Sequence, residues 1–180
     1  MSTLKVAFLD RDGVIFDSVA KHDYVLRYGQ AKYTYKSEDS IKLLNDMGYK
    51  VIVVTNQRCV ALGKINIREL NFLHDKMKKH VYEISRGIID DVYVCPHEIS
   101  KCNCRKPRTG LLEMANSKYN LDKSVSWIIG DRNSDIQCGK NFGISTIAIN
   151  NPSLNADLHA KNLWEAVNKL RYFKESKKID

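Results

Sequence analysis

Leu4-Lys5-Val6-Ala7-Phe8-Leu9-Asp10-Arg11-Asp12-Gly13 opens this chain with an apolar run that stops at two carboxylates and a glycine. A strand with one face in water alternates apolar and polar residues, whereas a strand covered on both faces reads as a continuous apolar run. The opening stretch is of the second kind. Working outward, the same pattern returns four times. Val51-Ile52-Val53-Val54 ends at Thr55, and Val92-Tyr93-Val94 ends at Cys95. Val125-Ser126-Trp127-Ile128-Ile129 ends at Gly130-Asp131, and Ser145-Thr146-Ile147-Ala148-Ile149 ends at Asn150.

Helical spacing fills the gaps. Ile41, Leu44 and Met47 form one apolar stripe, with Gly48 as its stop. Asn66 and Glu69 have the spacing of a capping box. Ile67, Leu70, Leu73, Met77, Val81 and Ile84 then recur on one face up to Gly87. Leu111, Leu112, Met114 and Ala115 suggest a third helix, Ile136 and Phe142 a fourth stopped by Gly143, and Leu163, Ala166, Val167 and Leu170 a fifth. The alternation predicts an α/β fold, a doubly wound Rossmann-like parallel sheet with helices on both faces. Ligands in such sheets bind beyond the carboxyl ends of the strands. The polar residues that end the five runs therefore converge on one edge.

The length of 180 residues predicts a single domain over 1–180, with a polar tail at 174–180 that frays. No run approaches the ~20 apolar residues of a membrane span. Met1-Ser2-Thr3-Leu4-Lys5 reads as neither signal peptide nor anchor, so a cytoplasmic protein without a membrane partner is expected. Lys and Arg outnumber Asp and Glu by 29 to 21, a net charge of +8. That charge fits a polyanionic partner, an acidic small molecule, or simply a solvated lysine-rich surface. Five cysteines, an odd number in a chain read as cytoplasmic, argue against a disulfide framework.

Four motifs carry chemistry. Asp10 and Asp12, two residues apart past a strand end, can serve as nucleophile with metal ligand and as general acid/base; the alternative is an ordinary Asp-Arg-Asp-Gly turn. Thr55 can hold a phosphate oxygen or merely start a turn. Asp131 and Asp135 can complete a Mg²⁺ site of hard oxygen ligands, or Asp131 or Ser134 can cap a helix. Cys95, His97, Cys102 and Cys104, in the pattern C-x-H-x₄-C-x-C, supply three thiolates and an imidazole, a complete tetrahedral set for structural Zn²⁺. Cys59 and Cys138 lie outside it as buried bystanders.

Together these residues resemble the haloacid dehalogenase (HAD) superfamily of aspartyl-phosphate phosphatases. Asp10-Arg11-Asp12-Gly13 matches its first motif, Thr55-Asn56 the second, Lys106 the third, and Gly130-Asp131 with Asp135 the fourth. The resemblance implies that Asp10 attacks phosphorus and that Asp12 protonates the leaving alcohol, then deprotonates water. It implies Mg²⁺ on Asp10, the backbone carbonyl of Asp12 and Asp131, with Asp135 behind them. Lys106 supplies fixed positive charge, and Thr55 and Asn56 orient phosphate oxygens.

Cys95-Pro96-His97 followed by Cys102-Asn103-Cys104-Arg105-Lys106-Pro107 looks like the D-glycero-D-manno-heptose bisphosphate phosphatases and the related histidinol-phosphate phosphatase domains. In that group a zinc loop, here 95–107, substitutes for a large cap domain. Arg105, Lys106 and Arg132 match positions that meet substrate phosphates. The implied function is Mg²⁺-dependent hydrolysis of the C7 phosphate of heptose 1,7-bisphosphate. The alternative is a histidinol-phosphate or broader sugar phosphomonoester phosphatase. The implied partner is a small phosphorylated sugar rather than nucleic acid, acted on by a monomer. The chain departs from the family at Arg58-Cys59 and Leu62, where T-N-Q-S-G-I-A-R-G is usual, and Arg58 is a candidate for a second-phosphate or sugar contact. Val14 and Phe16 stand where the Thr and Asn of T-[IL]-N are usual after the first motif. The loop beyond carries Tyr24, Tyr28, Tyr33 and Tyr35, which either stack on a sugar or pack the loop down.

Overall fold

The computed structural model describes residues 3–18 and 24–176. It contains β1 (Val6–Leu9), α1 (Ser37–Asp46), β2 (Lys50–Asn56), α2 (Ile67–Ser85), β3 (Asp91–Cys95) and α3 (Gly110–Tyr119). These are followed by β4 (Trp127–Gly130), α4 (Asn133–Phe142), β5 (Ser145–Ile149), β6 (Leu158–Ala160) and α5 (Leu163–Ser176). The six strands form one parallel sheet in the order β3-β2-β1-β4-β5-β6. The strand order reverses between β1 and β4, so the crevice expected to hold a ligand opens at their carboxyl ends.

Continuous apolar strands bury both faces because successive side chains point to opposite sides. Ala7 and Leu9 of β1, with Val51, Val53, Ile129 and Ile147, pack against Ile41 and Leu44 of α1, Leu73, Met77 and Val81 of α2, and Val167 and Leu170 of α5. Val6 and Phe8, with Ile52, Val54 and Ile128, face Leu111, Leu112 and Ala115 of α3 and Cys138 and Phe142 of α4. This is the doubly wound architecture expected.

Several details differ from the sequence reading. The Asn66–Glu69 capping box forms, with both reciprocal bonds at 2.9 and 3.0 Å. However, Ile67 and Ile84, in the terminal turns of α2, are 43% and 63% exposed. The left-handed residue closing that helix is Arg86 (φ 63°), not Gly87. Met114 on α3 is likewise exposed. Val125 belongs to a 3-10 turn over Lys123–Val125 fixed by the Asp122 side chain, so β4 begins only at Trp127. The three-residue edge strand β6 gives no periodic signal and was not expected. Helix α5 runs on through Ser176, into the tail read as frayed, and 177–180 lie outside the described residues. No helix among the described residues is long and apolar enough to cross a membrane.

Candidate active site

The site begins where β1 ends. The Asp10 N–H donates to Ile129 O at 3.0 Å, keeping the chain tied to β4 one residue past the strand. The buried Asp10 carboxylate accepts the Arg11 backbone N–H at 2.8 Å and lies 3.1 Å from Lys106 Nζ. Lys106 is itself buried. Its ammonium also meets Asp135 Oδ1 at 2.6 Å and donates to Val54 O at 2.7 Å. The Asn56 side chain brackets the Lys106 backbone with two 3.1 Å bonds, donating to its carbonyl and accepting its N–H. Strand β2 thereby places the lysine head directly beneath Asp10.

Asp131 follows β4 and faces the same point. Ligand oxygens of Asp10, Asp131 and Asp135 all lie within 4.8 Å of one another. Neither Asp131 nor Ser134 caps α4. Asp135 does so from inside the helix, accepting the Arg132 N–H at 3.1 Å. Gly13 (φ +87°) runs so close to Asp131 that a Cβ there would stand 2.2 Å from Asp131 Oδ2, so the turn after Asp12 requires glycine.

Two carboxylates thus share one ammonium, with that of Asp131 close by. Burial pushes Asp10 up to about 7 despite the pull of Lys106, with Asp135, Asp12 and Asp131 adding to the rise. Burial, then Asp135, pushes Asp131 up to about 6. Burial works against the Lys106 charge, but Asp10 and Asp135 outweigh it and hold that ammonium above its ordinary range. Asp131 Oδ1 is buried without a hydrogen-bond partner. An excess of hard anionic oxygens with one atom unpaired fits a small divalent cation. Lys106→Met is expected to leave two buried carboxylates facing each other. Removing one partner of a buried pair typically costs roughly 3–5 kcal/mol. Thermal unfolding should therefore show a lowered Tm.

Asp12 has different neighbours. Arg11 Nε donates to Asp12 Oδ1 at 3.1 Å and Nη2 to Oδ2 at 3.0 Å, a bidentate clamp. Gln57 Nε2 donates to Asp12 Oδ2 and to Thr55 Oγ1, both at 2.8 Å. Arg11 is completely buried, and its remaining Nη1 meets His74 Nε2 of α2 at 3.0 Å. Arg11, Gln57 and His74 were not among the residues singled out from the sequence.

The cysteine loop follows β3. Cys95 Sγ lies 3.5 Å from Cys102 Sγ and 3.7 Å from His97 Nδ1, which is 3.2 Å from Cys104 Sγ. Zn–S and Zn–N bonds of ordinary length put tetrahedral ligand atoms about 3.5–3.8 Å apart. All four donors lie within 4.8 Å of one another. Burial opposes the Cys102 thiolate, but backbone N–H groups of Arg105 and Cys104 and the neighbouring thiols bring it down to about 6. Burial and the adjacent sulfurs push Cys104 up to about 12. A donor set that holds one thiolate easily and the next with difficulty suits a shared cation. Cys59 and Cys138 are buried away from this cluster.

The remaining candidates have other surroundings. Arg105 Nη1 is buried without a partner. Arg58 pairs with Glu98 of the cysteine loop at 2.8 Å. The Arg132 side chain is 61% exposed and 3.8 Å from Asp131. Tyr33 packs on Phe16 and stacks on His80, with centroids 5.0 and 4.2 Å away, while Tyr35 is exposed. Tyr33 therefore packs its loop down.

Known proteins resemble this chain in sequence and fold. A HAD-hydrolase-like family model matches residues 103–167. The D-glycero-alpha-D-manno-heptose-1,7-bisphosphate 7-phosphatase of Photorhabdus laumondii is 39% identical over 149 residues, covering 78% of this chain and 79% of that one. The protein of the same name from Campylobacter jejuni is 35% identical over 183 residues, covering 95% and 96%. A D,D-heptose 1,7-bisphosphate phosphatase of B. bronchiseptica, crystallised with magnesium and phosphate, superposes with a TM-score of 0.86. It is 24% identical and covers 94% of this chain and 99% of its own. With two such relatives matched over most of their length, the chain belongs to the heptose-1,7-bisphosphate 7-phosphatase family of HAD-type phosphomonoester hydrolases.

Proposed function

We propose that this enzyme removes the C7 phosphate of D-glycero-α-D-manno-heptose 1,7-bisphosphate by way of an aspartyl-phosphate on Asp10. Both relatives described above are named for the α anomer. The observation that carries the bisphosphate reading is the buried, unpartnered Nη1 of Arg105, one residue from the lysine that touches Asp10. It leaves a guanidinium nitrogen able to take a second anion.

An Asp10 carboxylate oxygen bonds to phosphorus as the bond to the C7 oxygen breaks. Asp12 gives its proton to that oxygen and then takes one from the water that releases phosphate. Lys106 offsets charge on Asp10, and Asp135 holds Lys106. Thr55 orients the transferring group, while Asn56, expected to do the same, acts instead through the Lys106 backbone that it brackets. Asp10, the Asp12 carbonyl and Asp131 would hold Mg²⁺, which offsets the repulsion between carboxylate and phosphate dianion. Cys95, His97, Cys102 and Cys104 would hold a structural Zn²⁺ that shapes the loop over the substrate. Arg105 takes the distal phosphate, with Arg132 at the rim. The half-exposed Arg58–Glu98 pair is readily exchanged for a phosphate contact. The partner is thus a small sugar phosphate, and the setting a monomeric cytoplasmic enzyme.

A phosphate-release panel tests this reading. It should contain both anomers of heptose 1,7-bisphosphate, histidinol phosphate and several sugar monophosphates, with and without Mg²⁺. The α-bisphosphate is expected to have the highest kcat/KM. Arg105→Ala should raise KM for it roughly 10- to 100-fold, the worth of a lost charged hydrogen bond. Preference for histidinol phosphate would overturn the substrate assignment.

A further inference from the structure

His74 sits on the buried face of α2 between Leu73 and Met77, almost fully enclosed, where an apolar side chain would pack at no polar cost. Its Nε2 lies 3.0 Å from Arg11 Nη1. Arginine has no acceptor atom, so Nε2 must accept, and His74 is neutral with its proton on Nδ1. Burial, reinforced by the adjacent guanidinium, agrees with that form and pushes His74 down to about 3. The other edge of the same guanidinium makes both bonds to Asp12, and Phe16 lies 5.7 Å away against its plane. Arg11 is thereby held on three sides: by the carboxylate, by the imidazole and by a ring.

We propose that His74 is a positioning residue for proton transfer by Asp12, acting through Arg11. The inference rests on the reading of Asp12 as the acid. In the first step the Asp10 oxygen–phosphorus bond forms, the bond from phosphorus to the ester oxygen breaks, and the Asp12 proton passes to that oxygen. Asp12 is left as a carboxylate whose two oxygens meet Arg11 Nε and Nη2. A neutral acceptor at position 74 keeps that edge in the carboxylate plane. Without it, Nη1 is a buried donor with no partner, and the guanidinium turns to find one.

The test compares benzyl phosphate, whose alcohol leaves only with a proton, and p-nitrophenyl phosphate, whose phenolate leaves without one. The ratio of their kcat/KM values reports leaving-group protonation at the phosphorylation step. It is independent of how much of a preparation is folded. His74→Leu is expected to lower the benzyl/p-nitrophenyl ratio by about tenfold, within the span general acids contribute. His74→Gln, whose amide oxygen can accept from Arg11, should restore it to within about threefold of wild type. Asp12→Asn in the same assay should lower the ratio further. If Asp12→Asn lowers the ratio and His74→Leu does not, His74 only packs and the inference falls. It falls equally if Gln is no better than Leu. If Asp12→Asn leaves the ratio unchanged, the acid assignment itself falls.

Discussion

Asp10→Asn is expected to cut phosphate release by at least about 10⁴-fold, the scale seen when a covalent nucleophile is removed, while leaving the fold intact. The amide is nearly isosteric but has no anionic oxygen to attack phosphorus. The surroundings tolerate the exchange because Lys106 keeps its 2.6 Å contact with Asp135 and its bond to Val54 O. One of three crowded carboxylates disappears, and burial had already pushed Asp10 up to about 7. The Tm of Asp10→Asn in metal-free buffer at neutral pH should accordingly equal or exceed that of wild type. The loss of turnover is therefore not a folding defect. The measurement needs intact-mass confirmation that asparagine has not deamidated back to aspartate. Turnover above about 1% of wild type in verified protein would remove Asp10 as nucleophile.

The carboxyl-end cluster was legible because each of its parts terminates an apolar run. A strand buried on both faces leaves a continuous hydrophobic signal, and the first charges after it mark the sheet edge. Asp10, Thr55, Cys95 and Asp131 all stand at such a boundary. What holds them was less visible. Arg11 lies between two aspartates at a strand end, where a long cation is expected to reach solvent, yet it folds under Asp12 and is fully buried. Nothing local marks it. His74 did leave a trace: it is four residues after Leu70 and three before Met77, on the very stripe that is buried. A lone histidine there needs a partner, and that requirement is the clue. The Arg58–Glu98 pair joins loops 40 residues apart, so neither residue predicts the other. Strand β6 escaped because three residues at a sheet edge carry no period.

Cys102→Ser is the other change with a large expected effect, and the structure says which part of the site should suffer. Wild type purified without chelator is expected to carry about one zinc per chain, and the variant almost none, because a serine hydroxyl is a poor fourth ligand. The first part of the loop has other supports. Gln57 N–H donates to Cys95 O at 2.8 Å, and Ala61 N–H to Pro96 O at 3.1 Å. Lys106, just beyond the loop's last ligand, is fixed independently by both Asn56 bonds and by Val54 O. Arg105 is held only from within the loop: its carbonyl accepts the Arg108 N–H at 2.9 Å, its N–H reaches the Cys102 sulfur, and its guanidinium Nη1 is buried and unpartnered. Gly110 presses against Asn103 so closely that a Cβ would lie 2.6 Å from its carbonyl oxygen, and that contact requires the loop in place. Zinc loss should therefore damage the distal-phosphate position more than the reacting one. The expected result is a KM for the bisphosphate raised by about tenfold or more, while turnover of p-nitrophenyl phosphate, which has no second phosphate, falls much less. A wild type free of zinc would reject the metal assignment. Equal losses on both substrates would show that the loop supports Lys106 as well, and that the Asn56 brackets alone do not hold it.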